Sequence, residues 1–305
     1  MATLYGQNFR VWTNISPKDD SISYRVIGAS TNCTVNLTAN VADTTHKDIL
    51  GIFGRPDSVS RSGTVTVESL CIDSFDFFLK KILERKPMLI RWDESLDNGT
   101  MNQLPVEAPG HRFAMAYVTD FTLAANNREN CTLSATFTLT SEPSADSDIE
   151  WSDEDEYTQT KGQKVRLLIN PSNGLGVIAA ALNLQFHISV STENSTTKDT
   201  VSDWEAIEPT SISYDISCTA LIRSGELITS QERSYDVEEF VEMFARGSEL
   251  PWQLAEMNGA NNRAVGRVMV SGNAICTAVT LNGPNRQKAT VDLQMQGVGP
   301  YQLPA

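Results

Sequence analysis

Apolar and polar residues alternate strictly in two long segments, one in each half of the chain. In the first half the apolar positions are Cys33, Val35, Leu37, Ala39 and Val41. In the second half they are Leu182, Leu184, Phe186, Ile188 and Val190. A period of two is typical of a strand with one buried and one polar face. Both segments are therefore predicted to be β-strands, and each is followed by a polar loop and a further alternating strand.

Each half also contains one segment with the period of an amphipathic helix. Apolar residues recur there at i, i+3, i+4, i+7 and i+8, which places them on one helical face. The two stripes are Phe75, Phe78, Leu79, Ile82, Leu83 and Val237, Phe240, Val241, Phe244, Ala245. Ser74 and Asp236 are the predicted N-caps, because their side chains can accept a hydrogen bond from the first helical turn. Lys86-Pro87 and Gly247 are the predicted helix ends.

A predicted hairpin closes each half. The turns are Asn126-Asn127-Arg128 and Gly283-Pro284-Asn285-Arg286, and alternating strands flank both of them. The order of strand, polar loop, strand, helix and hairpin is thus the same twice. We predict a mainly β fold made of two tandem β-sandwich-like or barrel-like domains, each with one flanking α-helix. Such a repeat implies a duplicated domain.

An acidic segment separates the two halves. Eight carboxylates and no Lys or Arg occur between Glu142 and Glu156, and the densest run is Asp153, Glu154, Asp155 and Glu156. A segment with so few apolar residues cannot bury enough surface to offset its ordering entropy. We predict an exposed linker at residues 142–161, between a first domain at 1–141 and a second at 162–305.

Composition and charge exclude several classes of protein. The net charge of −14 over 305 residues disfavours a basic surface for nucleic acid. Five widely spaced cysteines predict neither a disulfide framework nor a zinc site, and are expected to be small core residues in a reducing cytoplasm. No apolar run is long enough for a membrane helix. The start of the chain lacks the features of a secretory signal, so we expect neither secretion nor membrane contact.

The sequence contains no recognisable catalytic motif. His46, His111 and His187 each lack a second ligand at metal-binding spacing. We therefore predict no enzyme activity, no cofactor and no metal. The polar loops carry similar sequences in both halves, which favours a role in contacts between subunits over a role in catalysis. The candidate inter-subunit residues are Thr44, Thr45, Lys47, Asp48, Thr196, Thr197, Lys198 and Asp199.

With this layout, each half resembles the tail tube subunits of long-tailed bacteriophages. The resemblance implies domains that associate side by side into rings, with sheets that form a continuous inner barrel, and rings that stack into a tube. It also implies contact with other tail proteins, passage of DNA through the channel without specific binding, and a place in the virion tail after synthesis in the bacterial cytoplasm. Most such subunits have one domain and form hexamers. Two domains per chain predict a homotrimeric, pseudo-hexameric ring.

Other functions are alternatives at this stage. The chain could be another ring component of a tail or injection machine, such as a terminator, a baseplate ring or a contractile tube. It could also be a two-domain β-sandwich binding module, although its five tryptophans are scattered along the sequence. We expect the loops at 40–62 and 191–210 to reach neighbouring subunits. The acidic linker is expected outside the ring, with the channel wall as its alternative position.

Overall fold

The structure is a computed structural model of the 305-residue chain. It describes residues 9–14, 24–27, 30–44, 56–70, 75–94, 112–145, 159–169, 176–178, 180–197, 202–222, 232–233, 237–258 and 264–304. Within these ranges the fold is mainly β, as predicted, with one large and almost wholly antiparallel sheet and two α-helices.

The elements of the two halves follow each other in the same order. The first half contains β1 (Phe9–Asn14), β2 (Tyr24–Val26), β3 (Ser30–Asp43), β4 (Pro56–Leu70), α1 (Asp76–Glu84), β5 (Met88–Glu94), β6 (Arg112–Asn126) and β7 (Thr132–Leu139). The second half contains β8 (Val165–Ile169), β9 (Gly176–Ile178), β10 (Ala181–Asn194), β11 (Ile207–Leu221), β12 (Glu232–Arg233), α2 (Val237–Arg246), β13 (Leu250–Asn258), β14 (Ala264–Asn282) and β15 (Thr290–Gln302). A single 3₁₀ turn, Gly162–Lys164, precedes β8.

The hydrogen-bonded strand order is also the same in the two halves. It is β2-β1-β5-β6-β7-β4-β3 in the first half and β9-β8-β13-β14-β15-β11-β10 in the second, where β12 adds beyond β9. Each strand of the first half therefore has a counterpart in the second. The counterpart of β3 is β10, and the counterpart of β6 is β14.

Interruptions of the strand pairing recur at matching places. A β-bulge changes the local twist of a strand, so matching bulges give matching curvature. In the first half the register shifts between Asn40 and Val41 and between Val118 and Asp120. In the second half it shifts between Ser191 and Thr192 and between Cys276 and Ala278.

The two halves are joined edge to edge. Residues 120–126 of β6 pair antiparallel with residues 183–189 of β10. This contact produces a continuous array of eight strands in the order β3-β4-β7-β6-β10-β11-β15-β14. Strands β3 and β14 are the two ends of this array.

The core lies on one face of the array, and it confirms the predicted alternation in β11. Tyr214, Ile216, Cys218 and Ala220 are all at most 4% exposed. The alternation in β3 also predicted a buried face. Within a single chain this prediction is wrong, since Leu37 is 52% exposed. Within the described residues β3 pairs only with β4, so no further strand shields its apolar side chains.

Both predicted helices are present, but their details differ from the sequence expectation. The N-cap of α1 is Phe75, which makes no side-chain capping bond, and Arg85 ends the helix in a left-handed conformation. Ser74 and Asp236 lie outside the described residues. Gly247 follows α2 with a positive φ of 57°, a conformation that commonly ends a helix, so the predicted end of α2 is confirmed. Unlike its counterpart in α1, the predicted stripe of α2 is only partly buried, because Val241 and Phe244 are exposed.

The described ends of the predicted linker pair with the first half. Ser144 exchanges two backbone hydrogen bonds with Phe113, both 3.0 Å long. At the other end, the Thr160 carbonyl accepts a hydrogen bond from the Cys131 amide, and Thr160 is 4% exposed. At both described ends, the segment at 142–161 is therefore paired with the first half. Asp153, Glu154, Asp155 and Glu156 lie outside the described residues.

Replacing Phe186 with alanine is expected to lower the free energy of unfolding by about 3–5 kcal/mol. The Phe186 ring is fully buried, and its centroid lies 5.5 Å from that of Trp252 and 6.0 Å from that of Tyr214. Gln185→Ala is the matched control, since Gln185 is exposed on the opposite face and should change stability by less than about 0.5 kcal/mol. Urea denaturation measures both. Equal losses would contradict the assigned faces of β10.

Candidate functional site

The first feature of the candidate site is the contact between the two halves of the chain. In the β6–β10 pairing, Phe186 lies opposite Leu123 and Ile188 lies opposite Phe121. All four side chains are at most 1% exposed. Backbone hydrogen bonds and an apolar face therefore act together along this seam, as cross-strand pairs do in stable sheets.

The hairpin between β10 and β11 extends over the first half and adds a second contact. The Arg61 amide donates to the Asp203 carbonyl at 2.8 Å, and the Glu205 amide donates to the Arg61 carbonyl at the same distance. The Ser60 hydroxyl donates to a Glu205 carboxylate oxygen at 2.7 Å. Described residues of the predicted loop at 191–210 thus contact the first half of the same chain. Whether it or the loop at 40–62 also contacts another subunit stays a prediction.

Beside this hairpin, a groove of about 420 Å³ opens along the exposed end of the array. The residues that line it come from both halves and include Leu37, Thr38, Arg61, Glu142 and Trp204. Trp204 is 7% exposed, whereas Leu37 stays half open to solvent. The groove combines an apolar floor with a few charged residues, which is a composition suited to contact with another polypeptide.

Of the predicted loop residues that the structure describes, Thr196 has a local role. The Thr196 amide donates to the Asn194 side chain at 2.8 Å, and the Thr196 hydroxyl accepts from the Ala206 amide at 3.0 Å. These bonds close the base of the loop. Thr44 and Thr197 are exposed. Thr45, Lys47, Asp48, Lys198 and Asp199 lie outside the described residues.

His187 makes a contact that the sequence did not reveal. Its Nε2 lies 2.8 Å from a carboxylate oxygen of Asp120 in β6, and its Nδ1 lies 3.1 Å from Asp215 in β11. Partial burial by itself lowers the pKa of His187. The hydrogen bonds and negative charges of Asp120 and Asp215 outweigh it, so the pKa is raised above its ordinary value. The imidazole thus connects three strands across the seam.

One of the two carboxylate contacts of His187 could have been predicted from the sequence. His187 and Asp215 are direct partners in the β10–β11 register, so a correct register would have paired them. Asp120 comes from the other half of the chain, and no local pattern indicates that it lies near His187. The sequence therefore indicated only that His187 lacks a second metal ligand nearby in the chain.

The face of the array that carries His187 is mostly polar, although Leu70 and Leu221 also lie on it. Every second residue of the paired strands lies on this face, and most are Thr, Ser, Asn or Gln. Its carboxylates include Glu68, Asp120, Glu193, Glu208, Asp215 and Asp292, and Lys and Arg are missing at the described positions of this face. Such a wall offers hydrogen bonds and a weak negative charge, and it does not attract phosphate groups.

The described cysteines are packing residues. Cys131, Cys218 and Cys276 are buried and Cys33 is half-buried, all as free thiols. Burial raises the pKa of Cys218 to about 12, so this thiol stays protonated and unreactive. Among the residues that the structure describes, no group of three or more potential ligands is placed to hold a metal ion. No described helix is long and apolar enough to cross a membrane.

No protein-family model matches the chain, and no curated protein matches it in sequence. The solved structures that are similar to it are tail structures of phages and gene transfer agents. They include the tail of an empty gene transfer agent particle, refined helically with C6 symmetry, and the virion of the native particle. For each, sequence identity is 15%, the TM-score is 0.37, and the match covers 48% of this chain and 99% of that chain.

The SPP1 tail tube, a hybrid structure from solid-state NMR and cryo-electron microscopy, is similar at 10% identity with a TM-score of 0.32. The match covers 47% of this chain and 78% of that chain. Each of these structures thus corresponds to about half of the chain.

Replacing His187 with asparagine is expected to reduce the free energy of unfolding by about 0.5 kcal/mol at pH 6, the size typical of a solvent-screened ion pair. Because the folded pKa is raised, the contribution is complete below the unfolded pKa of about 6.5 and is lost as pH rises through the folded pKa. The difference between wild type and variant should therefore shrink by pH 9.

Urea denaturation at several pH values measures this difference, and His46 and His111 cancel because both proteins contain them. Asp120→Asn in the His187→Asn background is the control, and it should add little. A difference that stays constant from pH 6 to pH 9 would contradict the protonated bridge.

Proposed function

We propose that the chain is the subunit of a phage-type tail tube, and that copies of it form stacked rings around a channel for DNA. The observation that carries this proposal is the eight-strand array. Its two halves have the same strand order, and they are joined through strands β6 and β10. Its two ends, β3 and β14, are the counterparts of those joining strands.

Free edges of this kind require a partner. An unpaired strand edge promotes association with other chains, and closure of the sheet into a barrel removes the edge. Among the described residues, the array has one edge of each kind without a partner strand. Head-to-tail association would therefore continue the sheet, and the ring would close when the rotation per copy permits. Three copies of eight strands give a closed barrel of about 24 strands, with six similar halves around the axis.

Within such a ring, the polar face of the array would form the channel wall, since the opposite face is occupied by the core. The hydroxyl, amide and carboxylate groups on this face suit a conduit that DNA traverses without binding. We infer that the matching strand order and bulges reflect a tandem duplication. Two domains, at about 1–141 and 162–305, would then occupy near-equivalent positions in each ring.

The oligomeric state of the purified chain tests this proposal. Negative-stain microscopy is expected to show rings or short tubes with a hollow centre, and native mass spectrometry is expected to find three chains per ring. A ring of six chains would contradict the trimer and leave the tube function intact. Dispersed monomers at high protein concentration would contradict the tube function and favour a two-domain binding module.

We further propose that the acidic segment lies outside the ring. Its carboxylates repel each other and extend the chain, and the copies in a ring would repel strongly inside a narrow channel. On the outer surface the same charge keeps tubes apart. The candidate inter-subunit loops, at 40–62 and 191–210, are proposed to connect adjacent rings.

Replacing Asp153, Glu154, Asp155 and Glu156 together with serine should leave rings intact and cause tubes to bundle at low salt. The cause is the loss of four negative charges per chain, and light scattering as a function of ionic strength measures the effect. A variant in which four Ser or Thr residues of the same segment are replaced with alanine is the control, since it keeps the charge. Normal solubility with defective DNA passage would instead place the segment in the channel.

A further inference from the structure

The seam between the two halves provides a template for the contact between copies. His187 of β10 lies opposite Thr122 of β6 in this seam. Because the strands pair in the same register in both halves, each of these residues has a counterpart. The counterpart of His187 is Asn36 in β3, 151 positions earlier. The counterpart of Thr122 is Thr280 in β14, 158 positions later. Both counterparts lie on edges that have no partner strand among the described residues.

Strand β14 has no described partner on one edge along the residues that correspond to the part of β6 paired with β10. In the first half, β5 pairs with β6 up to Ala116, and β10 occupies the same edge beyond it. In the second half, β13 pairs with β14 up to Ala274, the counterpart of Ala116. Residues 275–282 of that edge have no described partner. The second half therefore presents the same docking edge that the first half uses.

Side-chain exposure on these edges reflects the missing strand. In the seam, Ile188 and Phe121 are both 0% exposed. Their counterparts, Leu37 and Val279, are 52% exposed and half-buried, respectively. Leu281, the counterpart of the buried Leu123, is 45% exposed. The same positions are thus buried where a neighbouring strand is present and open where it is absent.

We propose that β3 of one copy pairs antiparallel with residues 278–282 of β14 in the next copy, in the register of the internal seam. Asn36 then lies opposite Thr280, and Thr38 lies opposite Ala278. On the core side, Leu37 packs against Val279, and Leu281 is covered by Val35. This inference rests on the proposed tube function, because it names the partner and the register through which the ring closes.

Helix α2 provides independent support for the same neighbour. In α1, Leu79 and Ile82 are 0% and 4% exposed. Their counterparts in α2, Val241 and Phe244, are 46% and 50% exposed. An apolar patch of this kind on a helix is typical of a surface that a partner covers.

The second half of the chain holds α1 in place. The Tyr301 hydroxyl donates to the Leu79 carbonyl at 2.7 Å, and Arg267 forms an ion pair with Asp76. Within the chain, the second half thus supports the helix of the half that precedes it. The first half of the next copy is accordingly positioned to cover α2.

The contact between copies differs chemically from the internal seam. Asn36, Ala278 and Thr64 occupy the positions that correspond to His187, Asp120 and Asp215. The bridge of one imidazole and two carboxylates therefore has no equivalent there. The intermolecular contact depends on backbone pairing and apolar packing, so salt should weaken it little.

A cysteine cross-link tests the register directly. Cα atoms of directly opposed residues in an antiparallel pair are about 4.5–5.5 Å apart, within the range for a disulfide. In the Asn36→Cys/Thr280→Cys double variant, oxidation is expected to link chains covalently into dimers and trimers on a non-reducing gel. Each single variant controls for the native cysteines. Asn36→Cys/Ala278→Cys, displaced by two residues, should link at least about tenfold more slowly.

Each outcome has a defined meaning. Rapid linking of the Asn36→Cys/Thr280→Cys variant, with slow linking of the Asn36→Cys/Ala278→Cys variant, supports the register. Rings that form without linking, or that link faster in the second variant, overturn the register and leave the tube function standing. Absence of any assembly in the wild-type chain overturns both proposals.

A second pair of variants tests the role of α2. Phe244→Ser is expected to raise the protein concentration needed for ring formation by about tenfold or more, as truncation of a packed interface residue does. The melting temperature of the dissociated chain should stay unchanged, since Phe244 is half exposed. Ala245→Ser, an exposed neighbour in α2, is the matched control. Equal assembly of both variants and wild type would overturn the inference that α2 contacts the next copy.

Discussion

The rest of the structure depends on the antiparallel pairing of β6 with β10. This contact turns two four-strand sheets into one array of eight, buries Phe121, Leu123, Phe186 and Ile188, and brings His187 next to Asp120. A buried sheet edge must have its backbone groups hydrogen-bonded, because an unpaired buried amide or carbonyl is costly. The two outer edges of the array are exposed, and unpaired strand edges promote association with other chains, so the proposed self-association would complete the sheet.

Much of the architecture could be predicted from local patterns. The period of two located β3 and β10, the helical stripes located α1 and α2, and the turns at Asn126 and Gly283 located both closing hairpins. Each of these signals depends on residues close in sequence. The fold was correctly predicted as mainly β for this reason, and the repeated order was already visible.

What the sequence did not reveal depends on neighbours that are distant or absent. β3 and β10 have the same alternation, yet Leu37 is exposed where Ile188 is buried, because in the part of the chain that the structure describes only β10 has a strand on each side. Val241 and Phe244 likewise follow the helical stripe and stay exposed. The contact between His187 and Asp120 joins residues from different halves. The candidate loop residues could be predicted as a group, but Thr196, which is among the described ones, closes its own loop.

Amide hydrogen exchange of β3, compared between assembled and dissociated protein, tests the central claim most directly, since it reports backbone pairing without any substitution. If β3 completes its sheet with β14 of a neighbour, the amides of residues 33–38 that point away from β4 should become protected on assembly. Residues 278–282 of β14 should gain protection at the same protein concentration. Rings or tubes in which these amides exchange as fast as in the dissociated chain would contradict the account.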